Sequence, residues 1–304
     1  MKKAYLLSLV VCLLLIAESR AENFRLVVIP DTQFCSEKWP EVLKSSTQWI
    51  AENKDWLNIK YALHVGDMVQ TGNKTKEWEN FKDSMSPLDG KVPYIMSTGN
   101  HDYDGSRGVG PLENFNKHYP LAEMKKLPSF GGNFPEGTAN NCYQTFTAGG
   151  TDWLILSLTY DPDDATFKWA NKVVADNPKR QVIVLTHFYL HQKGRAAVGQ
   201  RMWEELVSRH ENISMVLCGH IIGTAHFEAA GAKGNKVHEM LFDWQSHTER
   251  EQNSYIAILE FDPEAGKISI KSYSPMLDKY KTDALNQFEL TGVKFMRSQK
   301  AVEE

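Results

Sequence analysis

Five short segments of the chain place metal-binding types of side chain just after apolar runs. They are Asp31-Thr32-Gln33, Gly66-Asp67, Gly99-Asn100-His101-Asp102, His187 and Gly219-His220. Carboxylate, amide and imidazole groups are ligands for divalent cations, and imidazole also transfers protons near neutral pH. These residue types therefore indicate a metal centre with a proton-transferring group beside it.

The apolar runs before these segments indicate the strands that would position them. The predicted strands are Phe24–Ile29, Tyr61–Val65, Tyr94–Thr98, Trp153–Leu158, Val182–Thr186 and Ile213–Cys218. Such nearly continuous apolar runs are typical of strands buried on both faces. Ligands of α/β sheets bind outside the carboxyl ends of the strands, so we expect the five segments to meet in one cleft. The glycines before Asp67, Asn100 and His220 would allow close backbone approach there.

Taken singly, these residues also fit structural roles. Asp31 could end a strand, Asp67 could cap a helix, and Asn100 could occupy a left-handed turn. His64 lies inside an apolar strand and is expected to be a hydrogen-bonded core histidine. Asp102 fits two roles equally, orienting His101 or lying in a solvated loop. The joint pattern, and no single residue, supports the metal centre.

The remaining sequence completes an α/β pattern. Helical faces with a period near 3.6 fall around Val42 to Ile50, Trp78 to Met85 and Trp169 to Val174. After Gly219 the chain is mainly β. The strands predicted there are Val237–Phe242, Tyr255–Phe261, Ile268–Tyr273 and Gln287–Leu290. They could form a second sheet packed on the first or a small module, and the lack of a linker favours one domain over residues 22–304, with a β-rich extension from about residue 263.

Composition and the N-terminus set further limits. The 304 residues are 42% hydrophobic and 24% charged, which is typical of a folded globular chain. Lys2 and Lys3 precede an apolar run that ends in Ser19-Arg20-Ala21, so residues 1–21 read as a signal peptide with cleavage near Ala21. We therefore expect a secreted or periplasmic protein. No other run approaches the roughly 20 apolar residues of a membrane span.

Charge and cysteine content exclude some classes of partner and bond. Loss of residues 1–21 from a chain with 34 basic and 38 acidic residues leaves 31 and 37, a formal charge of −6. Such a surface argues against nucleic acid as a partner. Cys35, Cys142 and Cys218 would allow at most one intrachain disulfide.

The five segments, in this order over roughly residues 24 to 226, resemble the calcineurin-like metallophosphoesterase family. The Gly-Asn-His-Asp block is the most specific element. The resemblance implies a two-sheet mixed β-sandwich flanked by helices, with a dinuclear metal centre at the strand ends. It implies one cation on Asn100, His187 and His220, a bridging Asp67, and a second cation on Asp31 and Gln33. His101 would be the general acid, with Asp102 assigned to the same catalytic group. One or two iron, manganese or zinc ions suit these mixed donors.

Two positions depart from the family pattern. Gln33 stands where the first segment usually ends in histidine, and it offers a neutral, weaker oxygen ligand. Ile222 stands where a second histidine of Gly-His-x-His would bind the second cation, and isoleucine cannot ligate a metal. The second cation then depends on Asp31, Gln33 and the bridge, unless His226, His247 or another side chain folds in.

The function that the resemblance implies is hydrolysis of phosphate mono- or diesters by a metal-bound hydroxide, on small molecules or exposed phosphate esters. The alternative is a non-catalytic member of the fold that binds metal or phosphate. A third idea, recognition of carbohydrate or peptide through Trp39, Tyr189 and Trp244, depends only on exposed aromatics, which more often pack a pocket wall. Neither substrate nor oligomeric state is readable from the sequence.

Overall fold

The computed structural model describes residues 21–105 and 107–298 of the chain. The strands, in chain order, are Phe24–Ile29 (β1), Ile59–His64 (β2), Tyr94–Met96 (β3), Phe130–Phe134 (β4), Asn141–Ala148 (β5), Thr151–Ser157 (β6), Gln181–Leu185 (β7), Leu190–His191 (β8), Gly194–Arg195 (β9), Ile213–Cys218 (β10), Gly223–Ala230 (β11), Lys236–Asp243 (β12), Ile256–Asp262 (β13), Lys267–Ser274 (β14), Lys279–Lys281 (β15) and Gln287–Thr291 (β16).

The strands build two seven-stranded mixed sheets and one small hairpin. The first sheet has the order β15-β14-β13-β1-β2-β3, with β16 also paired to β14. The second has the order β11-β12-β10-β7-β6-β5-β4. Strands β1, β2 and β3 are mutually parallel, as are β6, β7, β10 and β12. Each sheet therefore has several carboxyl strand ends along one edge, which is where the predicted segments lie.

Helices cover the outer faces of the sheets. The α-helices are Gln33–Lys38 (α1), Pro40–Asn53 (α2), Thr75–Met85 (α3), Glu113–His118 (α4), Leu121–Met124 (α5), Asp164–Asp176 (α6) and Ala197–Glu205 (α7). Helix α2 begins with proline at its first turn, where the missing N–H costs nothing, and α6 begins at Asp163, whose carboxylate accepts from Thr166 N. Both helices present the apolar faces that the 3.6-residue period predicts.

The core has three layers of apolar contact. A central layer between the sheets joins Phe24 and Leu63 of the first sheet to Trp153 and Leu217 of the second. A second layer packs α2 and α3 on the first sheet, and a third packs α6 and α7 on the second. The predicted two-sheet sandwich flanked by helices is confirmed.

The structure also has strands that the sequence did not predict, because their residues are more polar than those of the predicted strands. All ten predicted strands are present within a few residues, whereas β4, β5, β8, β9, β11 and β15 were not predicted. The C-terminal strands do not form a sheet or module of their own. Strands β11 and β12 extend the second sheet, and β13 pairs antiparallel with β1 at the centre of the first. Antiparallel extension of both sheets was not readable from a run of β-like segments.

The structure also bears on the predicted signal peptide, the cysteines and the aromatic residues. Apart from residue 21, the predicted signal peptide lies outside the described residues. Within the part of the chain that the structure describes, no helix is long and apolar enough to cross a membrane. Cys35, Cys142 and Cys218 are free and buried. Tyr189 and Trp244 are buried in the core and Trp39 is partly buried, so Tyr189 and Trp244 are not available to an exposed recognition groove.

Candidate metal centre

Three predicted ligands come together from three different strand ends. Asp67 follows β2, His187 follows β7 and His220 follows β10, and one ligand atom of each lies within 4.8 Å of the others. Asp67 belongs to the first sheet and the two histidines to the second. The candidate centre therefore lies where the carboxyl ends of the two sheets meet.

The buried ring of His187 is oriented by the other sheet. Its Nδ1 donates to the carbonyl oxygen of Val65 at 2.9 Å. Because a carbonyl oxygen only accepts, the neutral ring carries its proton on Nδ1 and keeps a lone pair on Nε2. That Nε2 lies 3.1 Å from Nδ1 of His220 and 3.3 Å from Oδ2 of Asp67. A histidine held through one nitrogen and free at the other is the usual arrangement of a metal ligand.

Asp67 lies between the two predicted cation positions. Its Oδ2 contacts His187 on one side and lies 3.4 Å from Nε2 of Gln33 on the other. Its Oδ1 accepts from the backbone N–H of His101 at 2.9 Å. The carboxylate is thus held between His187, Gln33 and the backbone of His101.

Asp31 and Gln33 lie beside the three converging ligands. Asp31 is buried at the end of β1, and both of its carboxylate oxygens accept from the backbone N–H of His220, at 3.1 and 3.2 Å. Gln33 is buried at the start of α1. The resemblance assigns these two residues to the second cation position.

Two buried atoms without partners test whether this site suits cations. Oδ1 of Asn100 and Oε1 of Gln33 are buried and accept no hydrogen bond in the described structure. Buried polar atoms are almost always paired, and an unpaired carbonyl-type oxygen costs roughly 1–3 kcal/mol. Both atoms belong to predicted ligands, and amide oxygens bind divalent cations. The donor set therefore fits bound metal ions.

The backbone at the site is strained or crowded. Asp67 and His220 have φ values of 52° and 72°, in the left-handed region that non-glycine residues rarely adopt. A Cβ atom on Gly99 would overlap Oδ1 of Asp67, and one on Gly219 would overlap Oδ1 of Asp31. Such strain persists where the surrounding structure requires it, typically at functional sites. The glycines predicted to allow close approach do so at these two positions.

Asp102 lies in neither of the two places considered for it. It is fully buried, and its carboxylate accepts from three backbone N–H groups, those of Met68, Val69 and Gly99, at 2.7 to 3.1 Å. These bonds tie the loop after β2 to the loop after β3. His101 has a different partner, because its Nδ1 lies 2.7 Å from the carbonyl oxygen of Gln70. Asp102 therefore holds the two loops rather than the His101 ring.

His64 is the core histidine that the sequence predicted. Its Nδ1 accepts from the backbone N–H of Gly66 at 3.1 Å, so its Nε2 carries the proton and donates to Oγ1 of Thr32 at 2.9 Å. Burial lowers the pKa of His64 to about 3, and the ring stays neutral. It connects the ends of β1 and β2 beneath the candidate centre.

Four fully buried carboxyl groups surround the candidate centre. Burial and then Asp243 and Asp67 raise the pKa of Asp31 well above its ordinary value. Burial and Asp67 raise the pKa of Asp102 to about 8, and burial raises the pKa of Asp243 to about 7. Burial also acts on Asp67, but His187 and His101 outweigh it and lower the pKa. The three raised pKa values come chiefly from burial and partly from neighbouring carboxylates, and bound cations would oppose both effects.

A cavity of about 520 Å³ opens beside the candidate centre. Its walls include Gln70, Asn100, His101, Tyr103 and Arg107. Asn100 also belongs to the predicted ligand set, so the cavity adjoins the metal positions. Arg107 is exposed and places a guanidinium group in this wall. No sequence pattern had singled out Arg107.

Sequence reasoning also missed Asp243 and Gln245. Nε2 of Gln245 donates to Oδ2 of Asp31 at 3.2 Å and to Oδ2 of Asp243 at 2.9 Å, and Oε1 of Gln245 accepts from Nε2 of Gln33. A signal was available, because Asp243 ends the predicted strand Val237–Phe242 in the same way that Asp31 follows β1. Ile222, in contrast, has a side chain that is 61% exposed.

Comparison with known proteins agrees with this site. The model of the family described as calcineurin-like phosphoesterase matches residues 24–223. The uncharacterized protein YvnB of Bacillus subtilis is 31% identical over 273 residues, which are 86% of this chain and 21% of that protein. A probable cyclic nucleotide phosphodiesterase of Moraxella catarrhalis is 22% identical over 54% of this chain and 59% of its own length. The chain thus spans about a fifth and three fifths of these two relatives.

A solved structure shares the fold. Purple acid phosphatase PPD1 from yellow lupin seeds has a TM-score of 0.57 and 13% identity, over 94% of this chain and 56% of that chain. The family and its purple acid phosphatase relatives support metal-dependent phosphoester hydrolysis in general. The matched region contains every residue of the predicted ligand set. The chain belongs to the calcineurin-like phosphoesterase family.

Proposed function

We propose that this chain hydrolyses phosphate mono- or diesters at the candidate metal centre, on a small molecule or an exposed phosphate ester. The observation that carries the proposal is the convergence of Asp67, His187 and His220 beside a cavity lined by His101 and Arg107. Ligands, a proton-transferring imidazole and a cation for phosphate recognition are thus found in one place.

The residues that would hold the cations form two groups around one bridge. Asn100, His187 and His220 would hold one ion, Asp31 and Gln33 would hold the other, and Asp67 would contact both. When bound, two such ions lower the pKa of an attacking water and neutralise charge on the phosphoryl oxygens. Iron, manganese or zinc suits the imidazole-containing group.

The protein's own side chains supply the remaining steps. The guanidinium group of Arg107 binds phosphoryl oxygens, as arginine does in many phosphate sites. Water adds to phosphorus and the P–O bond to the leaving group breaks, with no covalent bond to the protein. The leaving alkoxide takes a proton from His101, so the ester yields an alcohol and a phosphate or phosphomonoester. The N-terminal pattern supports the further proposal that the reaction takes place outside the cytoplasm.

Turnover by the purified protein tests the proposal. The chelator-treated protein is given Mn²⁺, Zn²⁺ or Fe²⁺ and assayed with an aryl phosphate and a bis-aryl phosphate. We expect metal-stimulated hydrolysis, and Asp67→Asn should abolish it. The matched control is Asp176→Asn on the exposed side of α6, where Asp176 only pairs with Lys172. Full activity of Asp67→Asn would refute the assignment.

A non-catalytic role is the second candidate, and Ile222 is the observation that favours it. That role predicts binding of metal or inorganic phosphate without turnover under any of the three ions. It also predicts no gain of activity in Ile222→His. Hydrolysis that depends on Asp67 would rule it out.

A further inference from the structure

The second cation position lacks the ligand that the family pattern assigns to it. Ile222 is exposed, and its carbonyl oxygen accepts from Nε2 of Gln192 at 2.7 Å. Neither of the two histidines considered as replacements enters the site. The ring of His226 stacks on Phe288 at 4.3 Å, and His247 lies at the surface with Lys38. Among the described residues, a different side chain fills this place.

Gln245 contacts both non-bridging ligands of the second position. Its Nε2 lies 3.2 Å from Oδ2 of Asp31, and its Oε1 accepts from Nε2 of Gln33. Gln33 in turn lies 3.4 Å from Oδ2 of the bridging Asp67. The amide of Gln245 therefore belongs to the same group of oxygen-bearing side chains.

Asp243 accepts hydrogen bonds from Gln245. One of its carboxylate oxygens accepts from the backbone N–H of Gln245 at 2.8 Å, and the other accepts from the side-chain Nε2 at 2.9 Å. Asp243 is fully buried at the end of β12. The segment Asp243-Trp244-Gln245 also has the same Asp-x-Gln spacing as Asp31-Thr32-Gln33. Each sheet thus brings an Asp-x-Gln segment to the same point.

The orientation of the amides, together with one unpaired atom, points to a missing cation. The nitrogens of Gln33 and Gln245 both face carboxylate oxygens, while the buried Oε1 of Gln33 has no partner. A 180° rotation of either side-chain amide group exchanges the positions of its nitrogen and its oxygen. The oxygens would then face the carboxylates, an arrangement that a cation between them would stabilise.

We propose that Gln245, with its side-chain amide rotated in this way, supplies the ligand oxygen that Ile222 cannot, and that Asp243 positions it through the backbone N–H of Gln245. This inference rests on the dinuclear centre of the proposed function and adds to it. The two cation positions then differ in chemistry. One offers imidazoles and an amide, and the other offers only oxygens from Asp31, Gln33, Asp67 and Gln245. Oxygen-only ligands suit Mn²⁺ better than Zn²⁺, whereas imidazole suits both.

Metal binding, measured apart from activity, tests the inference. The chelator-treated protein is titrated with MnCl₂ by calorimetry, and bound manganese is counted by elemental analysis. We expect two Mn²⁺ per chain with different affinities. In Gln245→Ala the affinity of the oxygen-only position should fall at least about tenfold, with the other position unchanged. Gln245→Glu keeps an oxygen ligand and should retain both ions.

Controls separate the ligand role from a general effect on the fold. Gln192→Ala removes a nearby glutamine that contacts only the backbone of Ile222, and it should bind as the parent does. His220→Ala should lose the imidazole position first. Asp243→Asn should weaken the oxygen-only position less than Gln245→Ala, since it removes positioning rather than a ligand. Thermal unfolding of the chelated variants should match that of the parent.

The measurements of metal binding and of turnover test the role of Gln245 and the hydrolase activity separately. Two ions of unchanged affinity in Gln245→Ala, or a parent that binds a single ion, would overturn the role of Gln245 even if the protein hydrolyses phosphate esters. Two ions that depend on Gln245 in a protein without turnover would support this inference and refute the hydrolase.

Discussion

Nδ1 of His101 lies 2.7 Å from the carbonyl oxygen of Gln70. The carbonyl can only accept, so Nδ1 carries a proton in both charge states of the ring. The neutral ring then has its lone pair on Nε2 and cannot donate from that atom. His101 can therefore act as a general acid from Nε2 only as the imidazolium.

The first prediction follows for His101→Ala. We expect kcat to fall by about 10²- to 10⁴-fold, because general-acid catalysis contributes about this much. The loss should be largest for alkyl phosphates, whose leaving groups need a proton, and smallest for nitrophenyl phosphates. Steady-state assays across leaving groups of different acidity measure this.

The control for His101 is His226→Ala, which removes a ring stacked on Phe288. It should leave kcat unchanged, and both variants should keep the metal content of the parent. An equal loss of rate for all leaving groups in His101→Ala would show that His101 is not the acid.

Arg107 provides the second prediction. Its guanidinium lies in the wall of the cavity beside His101, and a charge-assisted hydrogen bond to phosphate stabilises binding by about 1.5–3 kcal/mol. Arg107→Ala should therefore raise KM by about tenfold or more and change kcat less. Arg107→Lys should restore part of the affinity, since it keeps the charge and loses the planar fork.

The comparison for Arg107 is Arg209→Ala, whose Nε bonds only to the carbonyl oxygen of Glu204 at the surface. Unchanged kinetics are expected there. If Arg107→Ala left KM as in the parent, phosphate recognition would have to come from other groups.

The third prediction concerns steric overlap at Gly99. A Cβ atom at this position would overlap the carboxylate of Asp67, and the backbone of Asp67 leaves it little room to move. Gly99→Ala should therefore displace the bridging ligand and weaken binding of both cations at least about tenfold. Calorimetric titration with MnCl₂ measures the loss.

Gly90→Ala is the control for a general loss of stability after a glycine substitution. Gly90 has a φ of 69° but nothing within 4 Å of an added Cβ, so the substitution costs about 1–2 kcal/mol of stability and touches no ligand. Its cation affinities should equal those of the parent. Full cation binding by Gly99→Ala would show that Asp67 is not held where the bridge requires it.

The sequence predicted most of the centre because one rule governs it. Asp31, Asp67, Asn100, His187 and His220 each follow an apolar strand, and parallel strands bring their carboxyl ends together. The same rule applies to Asp243 after β12, but a strand prediction does not say which sheet a strand joins. Parallel pairing of β12 with β10 brings Asp243 and Gln245 to the site, and that pairing depends on long-range contacts.

Side-chain partners were the other limit of sequence reasoning. Asp102 follows His101 directly, which suggested that one might orient the other. The short helical turn Asn100–Asp102 instead directs the carboxylate of Asp102 toward backbone N–H groups and the ring of His101 toward Gln70. Adjacent residues in a tight turn point to different sides, so neighbours in sequence need not be partners.

The last prediction concerns pH and cation affinity. Burial lowers the pKa of His187, but the charge and hydrogen bond of Asp67, the Val65 carbonyl and the charge of Asp102 together outweigh burial and raise it. In the cation-free protein the protonated His187 then pairs with Asp67. The pair stabilises the fold below the unfolded histidine pKa of about 6.5, and this contribution is lost as the pH rises through the higher folded value. A cation must displace that proton, so its affinity should fall as the pH is lowered.

Calorimetric titration with MnCl₂ between pH 8 and pH 5.5 measures this dependence. Below the pKa of His187 the affinity should fall roughly tenfold per pH unit for each displaced proton, and buffers of different ionisation enthalpy should report at least one proton released. His187→Asn removes the competing proton, so its weaker binding should depend less steeply on pH. Affinity that stays constant over this range in the parent would mean that His187 is not a ligand, since a ligating imidazole must lose its proton before it binds the cation.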